Sequence, residues 1–420
     1  MKKILAIAAI LTLLSIPAFA SYTEILSMAG IPVQLSGTDQ ITQIYPQLIS
    51  DFKNTAVVES NGPNSWAYTY LGTSLGTIGL AVGPNPGIAN VNAPATGSTQ
   101  TGVGNITGLF YATDMGGMNV GGSLLFGQYG TDTTNKLVAS VTNKNDAANG
   151  QGTFKLELGT SLKASMPIDV ALSFAMPTYA NSTKTYNAAD NLTNNNSESM
   201  SAMEIGLNAD TKMGNWIFDL GLKYASASDE VKTWTSPLGL GVVTVNTDNK
   251  ATDMEFIAQF LAGYKLHATK TLALTFGSGL LFNTDSDPVI TNNNVLTAVK
   301  TYGTGANSDG VLVLPLYVAI EGKLNDTWSF NAGINKAILR YAATNTKTVS
   351  AADGKTKTNE SNTSALRTDN GVATALGATA TIGDLKVQWD INPAMLLVGP
   401  NFISGANNNV AFNIALVYGW

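Results

Sequence analysis

The chain of 420 residues contains no cysteine, one histidine and only 12% charged residues. Without cysteine it can form neither a disulfide framework nor a thiolate metal site. The one histidine, His267, falls at a turn between two strand-like segments. A Ser-His or Cys-His system needs the imidazole in a cleft beside its nucleophile, so no such system is expected. Low charge combined with 44% hydrophobic residues excludes a disordered chain. The balance of 23 Lys+Arg against 29 Asp+Glu gives a formal charge of −6 and none of the basic excess that nucleic-acid binding requires. Long apolar runs are also missing. A helical membrane protein needs stretches of about 18–20 apolar residues, and only the N-terminus approaches one. No G-x-x-x-x-G-K-[ST] loop and no H-E-x-x-H helix occurs.

What is present begins with an address. Lys2 and Lys3 precede an apolar run from Ile4 to Leu14, followed by Pro17 and the small-residue pattern Ala18-Phe19-Ala20. This is the order of a cleaved secretory signal peptide over residues 1–20. Its removal takes away two lysines and no acid, so the exported remainder is more acidic than the whole chain. Residues 21–53 then carry partly helical spacing (Ile41, Ile44, Leu48, Ile49, Phe52) broken by Pro32 and Pro46, which reads as an irregular arm or plug with a short helix.

From about Thr55 the apolar period becomes two. Strand candidates come in pairs across tight links: Val103–Thr113 with Met118–Tyr129 around Gly116-Gly117, Met203–Lys212 with Trp216–Ala225 around Gly214-Asn215, and Val372–Ile382 with Leu385–Leu397 around Gly383-Asp384. Between the pairs lie long segments rich in Asn, Thr, Ser and Asp, at 84–102, 130–151, 177–199, 227–251, 284–310 and 342–371. A compact soluble domain rarely carries so many long structureless loops. Short turns alternating with long polar loops are the rhythm of an all-β, transmembrane, antiparallel up-and-down β-barrel. Including segments 54–60, 65–73 and 76–83 brings the barrel at 54–420 to about 16 strands. Fourteen is the main alternative, if the first hairpin belongs to the arm.

The last strand sharpens this. Val410, Phe412, Ile414, Leu416, Tyr418 and Trp420 alternate with small or polar residues up to the aromatic C-terminus. In this the chain resembles bacterial outer-membrane β-barrel proteins of the porin-like kind. The resemblance implies that Ile414, Leu416, Tyr418 and Trp420 are read by the barrel assembly machinery of the outer membrane. Ser36–Phe52, with Tyr45-Pro46, running into Trp66–Val82, also looks like the start of porin-like barrels, and no residue role is carried over from it.

In a barrel the bulky alternating face meets lipid and the other face lines the lumen. Trp216, Phe218, Leu220, Leu222 and Tyr224 oppose Asp219 and Lys223, and Met254, Phe256 and Phe260 oppose Glu255 and Gln259. The expected lumen-lining charges are Lys155, Glu157, Lys163, Glu204, Asp219, Lys223, Glu255, Lys265, Glu321, Lys323, Lys386 and Asp390, with Asp210 on the same face. Nearly balanced walls of this kind favour weak ion selectivity tilted to cations. The same charges can equally be cross-strand ion pairs that brace the wall. Aromatics near strand ends (Trp66, Trp216, Trp328, Tyr341, Tyr418, Trp420) suit interfacial girdles. Asp285 and Asp287 could meet calcium through loop carbonyls, but acidic loop residues are ordinarily solvated, so no metal and no cofactor is expected.

The function these features imply is a non-enzymatic outer-membrane channel for passive diffusion of small hydrophilic solutes. Two alternatives stand beside it: a plugged transporter of hydrophobic compounds, and a surface coat or adhesion barrel acting through its loops. Expected partners are outer-membrane lipid, the assembly machinery and small solutes, with no nucleic acid. A homo-oligomer stays open, since trimers are common among porin-like barrels.

Overall fold

The structure is a computed structural model that describes residues 32, 41–42, 44–61, 64–83, 106–135, 143–163, 166–187, 192–235, 245–286, 291–294, 299–302, 306–349, 357–367, 372–391 and 414–420. The signal segment 1–20, the polar segment 84–102 and Asp287 lie outside the described residues.

The chain enters through a short 3-10 helix, Pro46–Phe52. Next come β1 (Thr55–Asn61), β2 (Asn64–Thr73), β3 (Gly76–Gly83), β4 (Ile106–Asp114) and β5 (Met118–Asn135). They are followed by β6 (Asn143–Leu162), β7 (Ile168–Ala175), β8 (Thr178–Asn187), β9 (Leu192–Met213), β10 (Trp216–Thr235) and β11 (Val245–His267). The rest are β12 (Leu272–Ser286), β13 (Thr291–Asn294), β14 (Val299–Tyr302), β15 (Ala306–Lys323), β16 (Trp328–Val349), β17 (Lys357–Arg367), β18 (Ala373–Ile382), β19 (Leu385–Ile391) and β20 (Ile414–Gly419).

All pairings are antiparallel, and β20 bonds to both β19 and β1, which closes the sheet on itself. Several segments share one wall strand. β7 and β8 both run between β6 and β9, interrupted at Met176-Pro177, where proline has no N–H for the ladder. β17 and β18 lie end to end along β16, and the small β13–β14 hairpin prolongs β12 and β15. The result is a closed barrel of 16 antiparallel strands. The first hairpin belongs to the wall, so the 14-strand alternative falls: β1 supplies the edge to which the last strand bonds.

Local chemistry explains the wall. Along β3, Ile78, Leu80 and Val82 point outward and are about half exposed, while Thr77, Gly79 and Ala81 point inward and are buried. The same outward belt continues with Leu109, Leu158, Leu172, Ile205, Leu220, Phe260, Phe276, Leu280, Leu316 and Ile334. At the tight-turn end, Gly116, Gly117, Gly214 and Gly383 take positive φ, which hairpin turns of this kind require.

Two expectations are corrected. The polar segments 130–151, 177–199, 227–251, 284–310 and 342–371 are largely not loops but continuations of the ladder. The β5–β6 pairing reaches Asn135↔Asn145 and the β10–β11 pairing reaches Thr235↔Val245. Beyond the apolar belt neither face has to be apolar, so Thr- and Asn-rich sequence propagates the hydrogen bonds already started. The periodicity signal vanishes there although the strand does not. Trp66, expected in an outer girdle, is buried in the barrel interior at 4% exposure. It alternates in phase with Tyr68 and Tyr70, and the residues that face outward on β2 are the smaller ones between them.

Candidate functional site

The inner face of the barrel has two characters. Along β1–β5 it is apolar and aromatic: Val57, Trp66, Tyr68, Tyr70, Ile106, Phe110 and Leu125 form one buried cluster with Ile49 of the entering helix. The rings of Trp66, Tyr68, Tyr70 and Phe110 follow one another at centroid separations of 4.9, 5.3 and 5.9 Å. Gly79 makes room for this column, since a Cβ there would stand 2.6 Å from the Tyr70 ring.

From β6 to β15 the wall is charged. Lys155 lies 2.6 Å from Glu157, which also accepts a hydrogen bond from Ser123 at 2.7 Å. Lys223 is shared by Glu204 at 3.1 Å and Glu255 at 3.5 Å, and Asn283 donates to Glu255. Lys265 donates to both oxygens of Glu321 at 2.9 Å. Lys223 with Glu204 and Glu255, and Lys265 with Glu321, are therefore ion pairs between strands, while Lys155 and Glu157 pair along β6 itself. Lys163 and Lys323 stand at strand ends, exposed, pairing with the turn residues Asp114 and Asp326 at 2.7 Å. Lys323 holds the Asp326 carboxyl below its usual range by hydrogen bond and charge. Lys386 is exposed near the Gly383-Asp384 turn, and Asp390 is half-buried on β19. His267 is exposed at the end of β11.

The C-terminal residues carry the closing seam. Leu416 and Tyr418 lie opposite Val58 and Ala56 of β1 and alternate with Ala415, which is fully buried. Ile414 and Leu416 pair with Trp389 and Val387 of β19. The Trp420 amide donates to the Asn54 carbonyl at 3.1 Å, and its ring stacks on Tyr418.

The arm lies within the barrel at the tight-turn end. Proline suits the first turn of its helix, where no N–H is needed. Thr42 and Tyr70 share a hydroxyl hydrogen bond of 2.8 Å. The Tyr45 hydroxyl donates to Asp219 of β10 at 3.0 Å, and Gln47 Nε2 donates to the Thr160 carbonyl at 3.2 Å and to Asp169 of β7 at 3.5 Å. Burial, and then the Asp219 charge, push the Tyr45 phenol up, so it stays a donor. Burial and the charge of Asp169 likewise push the Asp51 carboxyl up. The wall is recessed to receive this helix. A Cβ on Gly121 would meet the Gln47 backbone at 2.5 Å, and one on Gly159 would meet the Gln47 side chain at 1.8 Å.

Beneath Tyr45 and Gln47 runs a row of three carboxylates. Asp169, Asp210 and Asp219 are direct cross-strand neighbours on β7, β9 and β10. Ser161 donates to Asp169, and Gln259 donates to Asp219 at 3.3 Å. Asp210, in the middle, is 2% exposed, and neither carboxylate oxygen has a hydrogen-bond partner among the described residues. Like charges directly opposite one another on a sheet oppose its pairing. At roughly 5 Å and an effective dielectric of about 20, each adjacent ionised pair costs about 3 kcal/mol. Sequence reasoning placed Asp210 and Asp219 on the inner wall and missed Asp169. The signal was available, since Asp169 alternates against Ile168, Val170 and Leu172.

No protein-family model matches the chain, and no curated protein is similar to it. Solved structures similar to it include the translocator domain of autotransporter NalP from Neisseria meningitidis, at 10% identity and a TM-score of 0.31, covering 73% of this chain and 90% of that one. The ferric yersiniabactin uptake receptor FyuA from Yersinia pestis matches at 8% identity and a TM-score of 0.35, covering 85% and 67%. The open form of the ferric-catecholate import receptor Fiu from E. coli K12 matches at 11% identity and a TM-score of 0.31, covering 86% and 72%. On its own topology, the chain is a closed antiparallel β-barrel with a segment of its N-terminal arm held in the lumen.

Proposed function

We propose that this protein is an outer-membrane channel that passes small hydrophilic solutes by diffusion, after export and cleavage near Ala20. The observation that carries the reading is the segregation of charge. Lys155, Glu157, Glu204, Lys223, Glu255, Lys265 and Glu321 line the inner wall, while the outward belt is built of Leu, Ile, Phe and Met. Placed against lipid at mid-depth, each charge would cost about 2–4 kcal/mol. In a wet lumen the partly exposed Glu204, Lys223, Glu255, Lys265 and Glu321 offer passing ions a polarised wall, while Glu157 is buried against Ser123 and Lys155. Acids outnumber lysines among these wall groups, so passage is biased toward cations. The tight-turn end faces the periplasm and the extended hairpins face outward, with the C-terminal strand serving as the assembly signal. No covalent step is involved, and no cofactor is needed.

A second reading is favoured by one specific observation. The Ile49 and Phe52 side chains of the arm pack inside the barrel against the aromatic column, and Tyr45 packs with Ile41 on Ala171 of β7, as a plug over an apolar surface would. That arrangement suits a transporter of hydrophobic compounds. Single-channel conductance of the refolded full chain in a planar bilayer separates the two. Stable ohmic steps with a cation-preferring reversal potential in a salt gradient support the channel. Absence of conductance from inserted protein, together with saturable binding of an apolar fluorescent probe, supports the plugged transporter.

A further inference from the structure

We infer that the arm segment Ile44–Phe52 is a proton-controlled latch, seated on the carboxylate row Asp169–Asp210–Asp219 and released into an open lumen when the central Asp210 loses its proton. This deepens the channel reading by naming what regulates the lumen.

Three observations meet at one place. Tyr45 and Gln47 donate hydrogen bonds to the two outer carboxylates of the row, so the arm is attached through it. The central Asp210 is nearly sealed from solvent with both oxygens unbonded among the described residues, a position intolerable for an ionised carboxylate flanked by two others. The wall around the arm is recessed by glycine at Gly121 and Gly159, so the seat is shaped for this segment rather than filled by it incidentally.

The groups facing the row come from every element packed on it. Tyr45 and Asp51 stand on the arm, Ser161 on β6, Asp169 on β7, Asp210 and Lys212 on β9, Asp219 on β10 and Gln259 on β11. The cations, Lys212 and Lys163, are exposed near the turns and stand at the edge of the row rather than within it. Asp51 adds a fourth acid from the arm itself.

The direction follows from linkage. The docked arm takes the row out of water and is the state that retains the proton, so docking is strongest at low pH. As pH rises, the row gains charge, and water entering beneath a departing arm solvates it. With one proton released on undocking, the docked-to-free ratio falls by up to about tenfold per pH unit across the window in which that proton is lost.

The test uses the full chain, refolded in detergent and in bilayers. The chain lacks cysteine, so a single Ser50→Cys, at a half-buried position of the arm helix, reports arm position by its rate of labelling with a water-soluble maleimide. That rate, corrected for the reagent's own pH dependence with a free thiol, should rise about tenfold or more from pH 5 to pH 8. In a background of Asp210→Asn, which keeps the side-chain shape and removes the central charge, it should stay low throughout. Asp210→Ser serves as the second neutralised variant if Asp210→Asn does not fold. A labelling rate independent of pH, or equal slopes with and without the Asp210 carboxyl, overturns the latch. pH-dependent labelling with no conductance at any pH keeps the latch and instead sinks the channel.

Discussion

The glycine recess makes a sharp prediction, because the two glycines that hold Gln47 differ in what opposes them. At Gly159 an added Cβ meets Gln47 Oε1 at 1.8 Å and Cδ at 2.8 Å, the far end of a flexible side chain. Gln47 can swing away, and Gly159→Ala then loses only its bonds to Thr160 and Asp169, about 1–2 kcal/mol together. At Gly121 the Cβ meets Gln47 Cα at 2.5 Å, its N at 2.6 Å and the Pro46 carbonyl carbon at 2.9 Å. All three are backbone, so no rotamer change relieves the clash and the helix must move as a body. Overpacking of this kind typically costs about 1–3 kcal/mol, and here the lost Tyr45–Asp219 bond adds about 1.5–3 kcal/mol if the helix shift breaks it. Gly121→Ala should therefore raise the population of the undocked arm by about 100-fold or more, and Gly159→Ala by about tenfold. The assay is hydrogen exchange of the amides of residues 44–52 in the folded barrel, with the heat-dependent shift of the barrel on a detergent gel confirming an intact wall. Equal protection in both variants, or a larger loss in Gly159→Ala, would refute the geometry on which the docked arm rests.

Other consequences can be checked separately. Leu220→Arg, on the outward belt, should lower unfolding stability in a bilayer by about 2–4 kcal/mol, whereas Gly221→Ser on the lumen side should change it little, as read by urea titration. Lys223→Met removes the one cation shared by Glu204 and Glu255, and the reversal potential in a salt gradient should move further toward cation preference. Trp420→Ala removes the ring stacked on Tyr418 at the closing seam and should slow folding into vesicles several-fold while leaving the wall intact once formed. The Lys323–Asp326 turn pair has a depressed carboxyl, so whatever it adds to stability is present above the ordinary aspartate range and disappears as pH falls through the lowered value. Because both groups are exposed, Asp326→Asn should leave the melting temperature at neutral pH almost unchanged.

Much of this architecture is readable without coordinates. A wall strand between lipid and water must alternate, so Ile78-Gly79-Leu80-Ala81-Val82 and Trp216–Tyr224 declare both their conformation and their two faces. The tight turns announce themselves through Gly116-Gly117, Gly214-Asn215 and Gly383-Asp384, because positive φ needs glycine or a near substitute. The ion pairs were legible as inward charges, though not as partners. Where both faces of a strand are wet the alternation disappears, and the hairpin extensions of β5, β6, β10 and β11 looked like loops for that reason.

The remainder depends on contacts between residues far apart in the chain. Periodicity on β2 assigns Trp66, Tyr68 and Tyr70 to one face without saying which, since an aromatic face suits a lipid girdle as well as a core. The choice was made when Ile49 of the arm and Phe110 of β4 arrived on the same side. Asp169, Asp210 and Asp219 are ordinary inward acids in their own strands, and only the register of β7, β9 and β10 lines them up. The arm's position is likewise absent from its own sequence. Tyr45 and Gln47 find partners more than a hundred residues away, in a recess that exists only because glycines on two wall strands face inward at the same height. Alternation is a local consequence of backbone geometry and is written residue by residue. Register, closure and the seat of the arm are sums over many weak pairings, and they are decided only when the barrel closes.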